Sequence, residues 1–227
     1  LIKLINIFKG EIKMKIELDC LPCIFRQTLE ACRMTTDDEV LIREIMNDYA
    51  KLVPDIDENT VSPAIAQKIQ AIIKEKTETN DPYQDFKRKH MKLAQKLSPK
   101  VEQIIKEQKN SLVGALVMAA TGNSIDAGVE LEVNVEENIK QAVNNGFAYS
   151  DFKLFIEKLN PDNEVLIIGD NSGEAVFDKL LIKELNKHGT DVTYAVREEP
   201  ILNDITKKEA KEIGLAEVSN VVSSGCK

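Results

Sequence analysis

The spacing of hydrophobic residues changes near residue 160, and this change constrains the fold more than any other feature. From Asp19 to about Leu159, apolar residues recur every three or four positions, which predicts amphipathic helices. After Pro161, short apolar runs alternate with amphipathic helices in the order β-α-β-α-β. That order is typical of a parallel sheet with crossover helices. We therefore predict an α/β fold, with a mostly helical region at residues 14–160 and a Rossmann-like three-layer domain with a parallel sheet at residues 161–227.

Strand and capping signals set the predicted elements after residue 160. Three strands are expected, at residues 165–168, 192–196 and 218–222. The first is a short run of β-branched and apolar residues, which predicts a strand that is buried on both faces. The helix after it runs from about Gly173 to His188 and ends at Gly189, and Thr206 caps the helix before the third strand.

Capping residues also divide the helical region. Thr36 or Asp37 can cap the second helix of this region. Ser111 begins a nearly all-apolar helix, which should be buried on every side. Further along, Asn134 and Glu137 have the spacing of a capping box at the start of another helix.

The two ends of the sequence lead to two further predictions. Residues 1–13 are interpreted as an upstream extension, because Met14 stands just before a sequence that is typical of a folded start. The chain stops at Lys227, where the third strand would turn into its crossover. A parallel sheet needs cover on both faces, so we expect the 227 residues to be a fragment with an exposed apolar patch beside the third strand.

Composition and charge exclude several classes of protein. The 30 basic and 38 acidic residues give a net charge of -8, which disfavours nucleic-acid binding. No stretch approaches the ~20 apolar residues of a membrane span, so no membrane partner is expected. Four cysteines are too few for a disulfide scaffold and predict reduced thiols in a cytoplasmic protein. Cys20 and Cys23 stand one helical turn apart, and we interpret them as small buried thiols in preference to a metal or redox pair.

Polar residues follow each of the predicted strands. GDNSGE occupies residues 169–174, Asn203 and Asp204 follow the second strand, and SSG occupies residues 223–225. The carboxyl ends of parallel strands meet at one edge of a sheet, where α/β proteins bind ligands. Carboxylate and amide oxygens suit Mg²⁺ or Mn²⁺ better than zinc, and a helix that begins near Gly173 would direct N–H groups to the same place. The competing interpretation is that these are ordinary turn residues.

Taken together, these motifs resemble the prokaryotic branch of the damage-control phosphatase family, formerly domain of unknown function 89. The resemblance rests on TGNSID at residues 121–126, GDNSGE at 169–174 with VFD at 176–178, and YAVR at 194–197 with PILND at 200–204. CLPC at residues 20–23 and DPY at 81–83 with Lys87 match the prokaryotic branch. The resemblance implies a helical region on a Rossmann-like domain, a divalent metal between them, and hydrolysis of small phosphorylated metabolites.

The resemblance also implies roles for individual residues. Asp170, Asn171 and Asp204 would be the metal ligands, and we take Asp170 and Asp204 as the candidate catalytic residues. By the same resemblance Asn123 and Asp126 would line the substrate side. Three residues at the strand ends complete the candidate substrate-binding set: Gly173, Glu174 and Ser224. Members of the family continue with a Lys-containing, glycine-rich segment that helps to bind the phosphate, and this sequence contains no such segment.

The chemistry expected of such a site is metal-assisted hydrolysis of a phosphate ester. The expected cofactor is Mn²⁺ or Mg²⁺, with Co²⁺ or Ni²⁺ as alternatives, and the expected partner is a small phosphorylated metabolite. A nucleophilic aspartate of the haloacid-dehalogenase type is disfavoured, because Ser172 stands two positions after Asp170 where that type has a second aspartate.

Two other interpretations of the sequence stay open, as does the oligomeric state. A strand followed by a glycine-containing turn is also found in S-adenosylmethionine-dependent methyltransferases. A non-catalytic protein that binds a metal or a phosphometabolite would use the same polar residues. Release of phosphate from an aryl phosphate, with and without Mn²⁺, separates a phosphatase from both.

Overall fold

A computed structural model describes residues 16–57, 60–126, 141 and 150–225. The chain divides into two compact units, unit 1 at Leu1–Pro82 and unit 2 at Tyr83–Lys227. The change of hydrophobic spacing near residue 160 therefore falls inside unit 2. Two predictions concern residues outside the described part and stay predictions: the extension at residues 1–13 and the capping box of Asn134 and Glu137.

Unit 1 contains three described helices. These are α1 at Cys20–Thr35, α2 at Glu39–Leu52 and α3 at Ser62–Thr77, with a 3-10 turn at Val53–Asp55. The helices pack against one another through one apolar face each. Their buried side chains include Ile45, Tyr49, Ile65, Ile69 and Ile73. This face has the three-to-four spacing that the sequence predicts.

The cap of α2 lies one or two residues later than predicted. The side chain of Asp38 accepts hydrogen bonds from the N–H groups of Val40, at 2.9 Å, and Leu41, at 3.2 Å. Thr36 instead accepts from the N–H of Asp38, at 3.1 Å. The cap prediction at Thr36 or Asp37 was wrong because three consecutive residues here have capping chemistry, and only the backbone conformation selects among them.

The cysteines of α1 differ in exposure. Cys32 is buried, and burial raises the pKa of its thiol to about 11, so it stays protonated at neutral pH. Cys20 is half-buried and Cys23 is exposed, and both are free thiols. The interpretation of small buried thiols was therefore wrong for Cys23, because the first turn of α1 presents it to solvent.

Three further described helices precede the sheet in unit 2. They are α4 at Gln84–Glu107, α5 at Ser111–Asp126 and α6 at Phe152–Lys158. Helix α5 begins at Ser111 as predicted, and the side chain of Asn110 accepts from the N–H groups of its first turn. It is not buried on every side, since Ala120 is exposed. Among the described residues, no helix is both long and apolar enough to cross a membrane.

The sheet confirms the predicted α/β fold. Its strands are β1 at Glu164–Ile168, β2 at Asp191–Val196 and β3 at Asn220–Ser223, in the spatial order β1-β2-β3 and all parallel. Helix α7 at Ala175–Asn186 connects β1 to β2. Helix α8 at Lys207–Glu212 and a 3-10 turn at Leu215–Glu217 connect β2 to β3. Helix α7 packs against α4, α5 and β2, so the described core of unit 2 lies between the sheet and these helices.

The cover of the edge strands differs from the predictions. Strand β1 is covered on one face only: Leu166 and Ile168 point away from the core and are 54% and 77% exposed. An all-apolar run cannot by itself distinguish a strand with two covered faces from one with a single covered face. In β3, Val221 and Val222 are half-buried. The large exposed apolar side chains of the described sheet thus lie on β1, and the patch predicted beside the third strand was wrongly placed.

Candidate functional site

A short antiparallel bridge brings two of the predicted site residues together. Asn171, just after β1, pairs with Asp204, which lies in the loop after β2. The N–H of Ile205 donates to the carbonyl of Asp170 at 2.8 Å, and the N–H of Ser172 donates to the carbonyl of Asn203 at 3.0 Å. Because these bonds flank the pair, Asn171 and Asp204 form a non-hydrogen-bonded antiparallel pair, in which Cα atoms lie about 4.5 Å apart and side chains are close. We call this feature the 171–204 bridge.

The two acidic members of the predicted site lie in different environments. Asp170 is exposed, whereas Asp204 and Asn171 are 7% and 9% exposed. The amide of Asn171 donates to a carboxylate oxygen of Asp170 at 3.5 Å. Burial raises the pKa of Asp204, and the charge of Asp170 acts in the same direction. The edge therefore combines one solvent-facing carboxylate with one largely buried carboxylate.

Arg197, directly after β2, contacts a predicted site residue, and no role was predicted for it from the sequence. Its Nε donates to Oδ2 of Asp204 at 2.6 Å, and this contact opposes the rise in the pKa of Asp204 that burial causes. Its backbone N–H also donates to the carbonyl of Ile205, at 3.0 Å. The signal was present in the sequence, because a cation directly after a strand lies at the same edge as the acidic residues.

The loop that carries Asp204 contains a strained residue. Leu202 has a φ of 47°, in the left-handed region that non-glycine residues rarely adopt. Such conformations cost about 1–3 kcal/mol and are found preferentially at functional sites. The loop keeps this conformation while it returns Asp204 to the 171–204 bridge.

The amides at the start of α7 are already engaged. The N–H groups of Ala175, Val176 and Phe177 donate to the carbonyls of Asn171, Gly173 and Glu174. These three amides are therefore not directed at a ligand, in contrast to the expectation that the helix N-terminus holds an anion. The helix also begins at Ala175, two residues after the predicted start at Gly173.

Helix α5 approaches this edge closely at Gly122. A Cβ atom on Gly122 would lie 3.1 Å from the ring of Phe177 and 3.2 Å from Cγ of Glu174. The backbone of α5 continues as a helix through Asn123 and Asp126, whose side chains are outside the described part. The predicted substrate-side residues therefore follow directly after the point where α5 meets the first turn of α7.

Ser224 follows β3 and is exposed. Its backbone N–H donates to the carbonyl of Val196 at 2.8 Å, which holds it beside the end of β2. The ends of all three strands thus contribute polar residues to one edge, as the chain order predicts.

A buried ion pair supports the segment that follows Asp204. Lys87 of α4 donates to Glu209 of α8 at 2.9 Å, with side chains that are 1% and 4% exposed. Glu209 also accepts from the N–H and the hydroxyl of Thr206, the N-cap of α8. Burial favours a higher pKa for Glu209, but the bonds from Thr206 and Lys87 outweigh it and hold that pKa below its usual range.

The donor chemistry of the edge fits a divalent cation. Asp170, Asn171 and Asp204 offer two carboxylates and one amide, which are hard oxygen donors of the type that Mg²⁺ and Mn²⁺ prefer. In the described part of the chain, no group of three or more His, Cys, Asp or Glu residues could hold a metal ion. A cation at this edge would therefore depend on the amide of Asn171.

The fold is that of an α/β protein in which polar residues collect at the carboxyl ends of a parallel sheet, the place where proteins of this class bind ligands. Comparison with known proteins identifies the family. Residues 16–227 match the family described as the damage-control phosphatase ARMT1-like domain. The chain belongs to this family, which confirms the resemblance seen in its sequence.

Individual relatives agree with this assignment. A damage-control phosphatase of Pyrococcus horikoshii is 32% identical over 93% of this chain and 74% of its own length. An uncharacterised protein of Methanocaldococcus jannaschii is 29% identical over 99% of this chain and 76% of its own. The crystal structure of a domain-of-unknown-function-89 family protein from Pyrococcus horikoshii superposes with a TM-score of 0.80 at 29% identity, over 94% of this chain and 75% of that chain.

Proposed function

We propose that this protein is a metal-dependent phosphatase that hydrolyses small phosphorylated metabolites. The observation that carries the proposal is the 171–204 bridge, which sets an amide and a buried carboxylate side by side at the edge formed by the carboxyl ends of the strands. The membership of the chain in the damage-control phosphatase family supports the reaction class, and relatives carry the same name.

We assign different roles to the residues of this edge. Asp170, Asn171 and Asp204 would hold Mn²⁺ or Mg²⁺, with Co²⁺ or Ni²⁺ as alternatives. Such a cation, when bound, would neutralise charge on a phosphoryl group and lower the pKa of water. Arg197 keeps Asp204 in a fixed orientation through the contact at its Nε. Its guanidinium also places a positive charge at this edge, where an anionic substrate would be attracted.

The test is release of inorganic phosphate from p-nitrophenyl phosphate, measured with and without Mn²⁺. We expect the wild-type protein to require the cation. We expect Asp170→Ala to lower turnover at saturating Mn²⁺ by at least about 100-fold, since the variant loses a ligand of the cation that would neutralise the developing charge. Because Asp170 is exposed, the variant should keep the helical circular-dichroism spectrum.

The matched control is Asp162→Ala, which removes another exposed aspartate, just before the amino end of β1. It should turn over substrate like the wild type. Equal turnover by Asp170→Ala and wild type would refute the assignment of Asp170. Binding of Mn²⁺ without phosphate release from a panel of phosphorylated metabolites would instead indicate a non-catalytic binding protein.

A further inference from the structure

Two buried polar side chains lie directly behind the turn that carries Asp170, and the proposed reaction does not use them. Tyr194, in the central strand β2, is 0% exposed, and Asp178, in α7, is 5% exposed. The hydroxyl of Tyr194 donates to Oδ2 of Asp178 at 2.6 Å. A hydrogen bond this short between a hydroxyl and a carboxylate is typical of a strong, charge-assisted contact.

The ring of Tyr194 is also in contact with the backbone of that turn. A Cβ atom on Gly169 would lie 2.4 Å from Cε1 of Tyr194 and 2.6 Å from its hydroxyl oxygen. Only a glycine fits at this position while the ring stays in place. The N–H of Gly169 donates to the carbonyl of Ala195, the neighbour of Tyr194 in β2, at 2.9 Å. The position of Gly169, and with it the start of residues 169–174, is therefore set by Tyr194 and its strand.

Burying the carboxylate of Asp178 and the hydroxyl of Tyr194 costs desolvation free energy. Burial raises the pKa of Asp178 to about 6, and the charge of Asp170 raises it as well. Burial and the carboxylates of Asp178, Glu174 and Asp170 hold the pKa of Tyr194 well above its usual value. An apolar pair of similar volume would avoid the cost of a buried carboxylate. Because a hydrogen bond depends on distance and direction, the bond to Asp178 fixes how far the ring of Tyr194 extends from its strand, which apolar packing alone does less strictly.

We propose that Tyr194 and Asp178 are positioning residues for the candidate metal site. Asp178 fixes the ring of Tyr194, and the ring holds Gly169, which places Asp170 beside the 171–204 bridge that contains Asn171. Neither residue needs to touch the cation or the substrate. This inference rests on the proposed function for its catalytic consequence, whereas its structural part concerns residues 169–174 alone.

The first test measures the affinity for Mn²⁺ alone by isothermal titration calorimetry. Tyr194→Phe keeps the ring and removes only the hydroxyl, and Asp178→Leu removes the acceptor. We expect each to weaken Mn²⁺ binding by about 10- to 100-fold, the range typical of residues that orient metal ligands. Asp178→Asn keeps an acceptor oxygen and should retain an affinity close to that of the wild type.

The control is Tyr49→Phe in unit 1. Tyr49 is also buried, and its hydroxyl donates to the carbonyl of Leu21 at 3.1 Å. This variant also removes the hydrogen bond of a buried tyrosine hydroxyl, here a longer bond to a neutral carbonyl, and should leave the affinity for Mn²⁺ unchanged. Equal weakening by Tyr49→Phe and Tyr194→Phe would overturn the proposal, because the effect would then be one of general stability. Wild-type affinity in Tyr194→Phe would overturn it as well.

The second test needs neither metal nor activity. Amide hydrogen exchange of the metal-free protein should become faster at residues 169–174 in Tyr194→Phe, while the amides of β2 and α5 keep their wild-type rates. Unchanged or uniformly faster exchange would overturn the positioning role. If the wild-type protein neither binds Mn²⁺ nor releases phosphate, the proposed function fails, and the exchange result still decides whether Tyr194 and Asp178 position the turn.

Discussion

The two units hold their described charged side chains in different environments. In unit 1, Lys76 of α3 lies near Glu44 and Asp48 of α2, at 3.5 and 3.1 Å, and all three side chains are substantially solvated. Unit 2 has exposed pairs too, but it also buries Lys87 with Glu209. Exposed pairs add little to stability. A buried pair costs desolvation, and apolar residues of the same volume often stabilise a protein as well or better.

The difference indicates what each set of charges does. These charged side chains of unit 1 lie on the solvent-exposed surface of its helices, and removing them should change the free energy of unfolding little. Those buried in unit 2 hold particular atoms in particular places: Glu209 binds the cap of α8, two residues after Asp204, and Asp178 holds Tyr194 against Gly169. Three comparisons between the units test this distinction, in order of decreasing effect.

The largest effect is expected from Lys87→Met. This variant leaves the carboxylate of Glu209 buried without its cation, which should lower the free energy of unfolding by about 3–5 kcal/mol. Urea unfolding followed by circular dichroism measures the loss. Lys76→Met, the counterpart in unit 1, should unfold within error of the wild type because its partners are solvated.

A double variant sharpens this result. Lys87→Met with Glu209→Gln leaves no charge buried and keeps an acceptor for Thr206, so it should regain much of the lost stability. If Lys87→Met cost no more than Lys76→Met, the buried pair of unit 2 would differ from surface pairs in location only.

The second comparison uses pH. The pKa of Asp178 is raised by burial from 3.8 to about 6 in the folded protein, so the folded state holds its proton more tightly than the unfolded state. As pH rises from 4 to 8, the wild type should lose stability relative to Asp178→Asn, by up to about 3 kcal/mol. The loss should begin above the unfolded pKa and be complete above the folded pKa.

Asp48 in unit 1 should behave with the opposite sign. Hydrogen bonds from Lys51 and Lys76 lower its pKa in the folded protein. The wild type should therefore gain stability relative to Asp48→Asn as pH rises through the folded pKa and then the usual value of this carboxyl. Urea unfolding at several pH values measures the difference in free energy of unfolding between the wild type and each variant. If these two differences changed with pH in the same direction, the predicted contrast between Asp178 and Asp48 would be wrong.

The smallest effect concerns helix caps. Asp38 caps α2 from an exposed position, and Asp38→Ala should cost about 1 kcal/mol. Thr206 caps α8 in a capping box with Glu209, and both side chains are buried. Thr206→Ala should cost about 2 kcal/mol, because Glu209 also loses a hydrogen-bond donor. Equal losses in thermal unfolding would indicate that burial adds nothing to the cap of unit 2.

The fold class and the location of the site could be predicted because they depend on local order along the chain. The change in hydrophobic spacing separates helices from strands, and polar residues directly after each strand must meet at one edge of a parallel sheet. Element ends were less accurate. The third strand begins at Asn220 because Leu215–Glu217 forms a 3-10 turn and Val218 ends it, which an apolar run does not reveal.

The contacts that organise the site could not be predicted in this way. Lys87 and Glu209 are separated by 122 residues, and no local pattern pairs them. Asp178 lies in the first turn of an amphipathic helix, where an acidic residue is ordinarily solvated, and its burial depends on how α7 packs on β2. Arg197 could be placed at the edge, but its choice of Asp204 as a partner depends on the loop conformation at Leu202.

The sequence by itself thus determined the order of helices and strands, the parallel sheet, the family, and the edge at which polar residues collect. These properties follow from side-chain periodicity and chain direction, which every residue carries locally. Only the tertiary structure decided which face of β1 is covered, which carboxylates are buried, and which cations and hydroxyls they meet. Burial and pairing depend on distant segments that pack together, and it is this packing that sets the pKa of Asp178 and the place of Tyr194 beside Gly169.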